Sequence, residues 1–73
     1  MPAQTLSFAL DREFVKLDNL LKLTGVSDSG GAAKHLIANG DVQVDGVVEL
    51  RKTCKIRAGQ TVRVGGVEIR VGG

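Results

Sequence analysis

Over residues 5–10 apolar residues alternate with small or polar ones, and Leu6, Phe8 and Leu10 occupy every second position. A period of two is the mark of a strand with one buried face. A strand is therefore expected over Thr5–Leu10, joining a sheet completed later in the chain. Leu17, Leu20, Leu21 and Thr24 then recur at helical spacing, while Lys16, Asp18, Asn19 and Lys22 fall elsewhere on the wheel. Gly25 sits where a helix C-cap belongs, so the pattern predicts a short amphipathic helix. A second helix is expected to begin near Ser27 or Ser29, either of which can cap it. It buries Ala33, Leu36 and Ile37 and stops at Asn39-Gly40.

Beyond Gly40 the period returns to two. Val42-Gln43-Val44 and Val47-Val48-Glu49-Leu50 flank Asp45-Gly46, a pair that readily takes the positive φ angles of a two-residue hairpin turn. Gly59-Gln60 marks another turn. Thr61–Val64 and Val67–Val71 then flank Gly65-Gly66 as a second hairpin with its valines on one face. The expected fold is α+β: two short helices packed on a small, mostly antiparallel sheet, with an added N-terminal strand.

Seventy-three residues make one domain, spanning 1–73, whose apolar side chains are mostly needed for a single core. That size disfavours multi-step chemistry in a deep cleft. Phe8 and Phe14 are the only aromatics, so base stacking on exposed rings is expected to be mostly unavailable. Cys54 is the only cysteine and His35 the only histidine, and neither has partners at metal-ligand or triad spacing. No catalytic residue, metal or cofactor is expected, and the chain is not read as an enzyme. Cys54 is expected to act as a small buried hydrophobe. Without a possible intramolecular disulfide, a signal-like N-terminus or a long apolar run, the cytoplasm is the expected compartment and no membrane contact is foreseen.

The net charge of +2 hides an asymmetry. Residues 1–50 carry seven acids and four bases (−3), and residues 51–73 carry one acid and six bases (+5). Arg51, Lys52, Lys55 and Arg57 concentrate that charge. If 51–57 is one extended strand, Arg51, Lys55 and Arg57 share a face with Thr53, and alternate positions are about 6–7 Å apart. On the second helix Gly30 and Gly31 precede Lys34 by four and three residues, hence on the same face. Glycines cost helix stability, about 1 kcal/mol each in an interior, so a side chain there is expected to obstruct something. Either the two helices pack closely, or a phosphate approaches the helix N-terminus.

From Leu17 to about Val64 the sequence resembles the S4-like RNA-binding domain, also called the alpha-L motif. The likeness rests on Ser29-x-x-Ala32-Ala33-Lys34-x-Leu36-Ile37-x-x-Gly40-x-Val42-x-Val44-Asp45-Gly46, with Gly59-Gln60-x-Val62 where the family usually shows Gly-Asp and an apolar strand. It extends further to the small stand-alone bacterial members of the YbcJ type. That closer likeness rests on Leu20-Leu21-Lys22-Leu23, Gly25, Ser27-x-Ser29-Gly30 and the run Val44-Asp45-Gly46-x-Val48-Glu49-x-Arg51-Lys52-x-Cys54-Lys55-Ile56. The resemblance implies a bacterial cytoplasmic protein that binds structured RNA, ribosomal RNA included, without an attached catalytic domain. Many members of the wider family carry an arginine where this chain has Gly30. The RNA-facing set it implies is the second helix's N-terminus at Ser29, Gly30 and Gly31, Lys34 and the Asp45-Gly46 hairpin, with Arg51, Lys52 and Lys55 replacing the missing charge; the basic segment itself adds Arg57 to the candidates. Two other readings stand beside it. One is an adaptor that docks a protein partner; the other is a ubiquitin-like sulfur carrier using Gly72-Gly73.

Overall fold

A computed structural model describes residues 3–73. The first strand is β1 (Gln4–Ala9), followed by β2 (Val15–Lys16), α1 (Leu17–Leu23) and α2 (Gly30–Ala38). The remaining strands are β3 (Val42–Val44), β4 (Val47–Val48), β5 (Lys55–Ile56), β6 (Thr61–Val64) and β7 (Val67–Gly72). Five strands form one sheet in the order β1-β7-β6-β3-β4, and β2 and β5 make a separate two-stranded ribbon. The sheet is mixed: β1 runs parallel to β7, and every other pair is antiparallel.

Both hairpin turns follow from their residues. Asp45 at φ 53° and Gly46 at φ 85° make the type I′ turn that matches the twist of β3 and β4. Asp45 is tied down further, since its N–H donates to the Thr61 carbonyl at 2.8 Å and its carboxylate accepts the Thr61 N–H at 3.0 Å. The helices pack against each other and, through Leu17, Leu20, Leu21, Ala33 and Ile37, close over Val42, Val62, Val64, Ile69 and Val71 of the sheet. The other sheet face carries Glu68, buried between Arg63 and Arg70, which donate to it at 3.5 and 3.3 Å. Among the described residues no helix is long and apolar enough to cross a membrane.

Three expectations need correction. Residues 51–57 are not one strand: Cys54 N–H donates to the Arg51 carbonyl in a turn, and only Lys55–Ile56 is extended. The row of cations on one strand face therefore does not exist. Asp18, placed by the helical wheel among polar positions, is buried, because the 51–54 turn folds over the start of α1. The last strand does not stop at Val71, since Gly72 pairs with Ala9 as the final residue of β7 and accepts the Leu10 N–H.

Candidate nucleic-acid interface

Helix α1 has seven residues and no side-chain cap at its N-terminus. Its first N–H groups are satisfied from far along the chain instead. Leu17 N–H donates to the Cys54 carbonyl at 2.9 Å and Asp18 N–H to the Lys52 carbonyl at 3.1 Å. Those two bonds fix the basic segment against the start of α1. Just before the helix, β2 pairs with β5 in the register Val15↔Ile56 and Lys16↔Lys55. Val15 and Ile56 are buried, so alternation turns both lysines to solvent on one face.

Directly opposed residues of an antiparallel pair have Cβ atoms about 4.5–5.5 Å apart, and like charges there are destabilising. The ribbon nevertheless sets Lys16 against Lys55. Continuing the register one step brings Phe14 across from Arg57 on the same face. The Lys55 Nζ lies 4.9 Å and the Arg57 Cζ 5.8 Å from the centre of the Phe14 ring. The ring quadrupole attracts both cations, so Phe14 holds together charges that would otherwise drift apart. Phe14, Lys16, Lys55 and Arg57 thus form one tile. Glu13 reaches Arg57 at 3.8 Å from the rim, with both side chains exposed.

Arg51 is engaged elsewhere. Its Nε and Nη2 donate to the two oxygens of Glu49 at 3.0 and 3.1 Å, and its own backbone N–H donates to the same carboxylate at 3.0 Å. Hydrogen bonds from the Arg51 side chain and then its backbone hold the Glu49 pKa down to about 2. Arg51 also lies 3.7 Å from the Cys54 sulfur, and burial raises the Cys54 pKa. Cys54 packs against the core but is only half-buried, because it sits in the turn rather than on the inner face of a strand.

The predicted set therefore divides. Ser29 caps α2, its hydroxyl accepting the Ala32 N–H at 3.1 Å. Ser27, the other candidate cap, is buried and donates to the Ser29 carbonyl instead. Ser27 N–H donates to Leu21, which ties this start to the C-terminal half of α1. Ser29, Gly30, Gly31 and Lys34 consequently gather at one end of α1 and Lys52, Lys55 and Arg57 at the other. Seven helical residues rise about 10 Å. A Cβ built on Gly30 meets nothing within 4 Å, and one on Gly31 meets only the Ser29 hydroxyl at 3.8 Å. Close helix packing thus does not explain these glycines.

Sequence reasoning missed Lys16 and Phe14. Two-residue strands carry no readable period. The available signal was the triplet Phe14-Val15-Lys16 against Lys55-Ile56-Arg57, each with an apolar centre and flanks suited to one solvent face.

The S4 domain family model matches residues 8–72. A protein of Escherichia coli (strain K12) named "Putative RNA-binding protein YbcJ" is 58% identical over 57 residues, which are 78% of this chain and 81% of that one. YbcJ of Shigella flexneri gives the same figures. The solution structure of the E. coli YbcJ, described as revealing an alfaL motif involved in RNA-binding, matches with a TM-score of 0.70 at 51% identity. That match covers 94% of this chain and 86% of YbcJ. With the family pattern running through nearly all of its elements, the chain belongs to the S4 domain family.

Proposed function

We propose that the protein binds structured RNA without catalysing a reaction, gripping phosphates and helix shape with the tile on the β2–β5 ribbon and with the start of α2. The observation that carries this reading is the exposed Lys16–Lys55 pair, a like-charge opposition that disfavours the free protein and is relieved by a bound anion. Membership of the S4 domain family and likeness to YbcJ support it. The two groups of residues at the ends of α1 suit successive backbone contacts along one RNA. Gly30 and Gly31 leave the α2 N-terminus open to a phosphate beside Lys34. Arg51 is a weaker candidate than Lys55, because Glu49 already neutralises it. The bacterial cytoplasm is the compartment this reading implies.

A salt titration of binding to a folded RNA hairpin tests it. The affinity is expected to fall steeply with salt, and Lys16→Ala with Lys55→Ala is expected to reduce the logarithmic slope by about two units. An unchanged slope in the folded double variant removes the ribbon from the RNA face. A second reading, a protein partner docked along the β4 edge of the sheet, is favoured by Val47 and Leu50, which are 70% and 60% exposed. Such an apolar contact would lack the steep salt dependence.

A further inference from the structure

Beside the tile the surface sinks into a hollow of about 310 Å³, lined by Arg12, Glu13, Phe14, Val15, Lys16 and Asn19. We propose that this hollow seats one unpaired nucleotide of the bound RNA, its base against Phe14 and its phosphate on Lys16 and Lys55. The proposal rests on the RNA-binding reading and adds to it a choice of RNA feature.

The size lies at the low end of the range for small-ligand sites, about 300–1,000 Å³. The walls divide by chemistry as a nucleotide does. Buried Val15 and half-buried Phe14 give an apolar bed for a base. The exposed Asn19 amide at the margin brings a donor and an acceptor suited to a base edge. Lys16 belongs both to the hollow and to the pair with Lys55, so a phosphate bridging the two lysines stands at its edge.

The neighbouring ion pair fixes the direction of approach. Arg57 has Glu13 at 3.8 Å, whereas among the described residues neither Lys16 nor Lys55 forms an ion pair. An anion is thereby directed to the lysines. In an A-form duplex every base is stacked and paired, so its faces cannot enter such a hollow; a bulged or looped nucleotide can turn its base outwards. The scarcity of aromatics predicts little use of stacking for the protein as a whole, and the fold concentrates what there is at this one ring.

The test uses the full chain and two RNA hairpins that differ by a single bulged nucleotide. The wild type is expected to bind the bulged hairpin about tenfold more tightly than the fully paired one, the size of one stacked base. Phe14→Leu, which keeps apolar bulk beneath the cations, is expected to bring that ratio close to one, and Asn19→Ala to narrow it. Thermal melts establish that both variants are folded. With 2-aminopurine at the bulge, its fluorescence is expected to change on binding the wild type and not on binding Phe14→Leu. Equal wild-type affinity for the two hairpins, or a preference that Phe14→Leu retains, overturns the nucleotide site while salt-dependent binding of both leaves the RNA reading standing. Loss of salt-dependent binding to either RNA overturns both.

Discussion

At Gly31 the backbone gains nothing from the absent side chain that the fold itself can use, since a Cβ would meet only the Ser29 hydroxyl at ordinary contact distance. Gly31→Ala is therefore expected to hold or raise the melting temperature, by up to about 0.5–1 kcal/mol of helix preference. RNA affinity is expected to fall if a phosphate rests on that turn, and measuring both quantities on one variant separates the effects. Asp45 is the opposite case. It holds a left-handed φ and its carboxylate accepts from the Thr61 N–H and the Gln60 amide, so Asp45→Ala is expected to cost about 2 kcal/mol. A denaturant titration reads that directly. Both hairpin turns were legible in the sequence because Asp-Gly and Gly-Gly act locally, through the φ angles they allow. The burial of Asp18 was not legible, because its cover comes from Lys52 and Cys54, more than thirty positions away.

Among the elements, the β2–β5 ribbon and the 49–54 turn respond to charge in different ways. Lys16→Glu converts a repulsive cross-strand pair into an attractive one, so it is expected to stabilise the protein by about 0.2–1 kcal/mol while weakening RNA binding. A variant that melts higher and binds worse is the signature of a site whose geometry is kept at some cost to the free fold. The 49–54 turn is governed by Glu49, whose folded pKa of about 2 lies below its ordinary 4.5. A depressed carboxylate stabilises fully above its unfolded pKa. Its contribution is thus expected to be intact above pH 4.5 and lost as the pH falls towards 2. Stability measured across that window should lose part of its pH dependence in Glu49→Gln. The basic segment could be found by composition, but its shape could not, because Glu49, Arg51 and Cys54 make a turn whose bonds leave no hydrophobic period.

For the molecule as a whole, the parallel pairing of β1 with β7 joins the two ends of the described chain. Sequence reading foresaw that the first strand would join a later sheet, from Leu6, Phe8 and Leu10, yet nothing in those residues named its partner or direction. Deleting Gly72 and Gly73 removes no side chain. The structure predicts a cost of about 1 kcal/mol, because the Ala9–Gly72 pairing and the Leu10 N–H bond are removed. In a domain this small that lowers the melting temperature by about 4–8 °C. A melt of the truncated chain unchanged within 1–2 °C, roughly, would show that these last backbone bonds are not felt.

The start of α1 has a consequence for how the protein is made. A helix of seven residues cannot stand alone in water, and the first two N–H groups of this one, those of Leu17 and Asp18, are met by the carbonyls of Cys54 and Lys52. The first strand, likewise, waits for the last. As the chain leaves the ribosome from its N-terminus, the early elements can be sampled but not completed. The cationic turn and the helix it closes come into being together, once residues 52–54 have been made. A nascent chain stalled before residue 52 would accordingly expose neither an ordered α1 nor the ribbon, and the surface proposed to grip RNA arises in the same step as the fold.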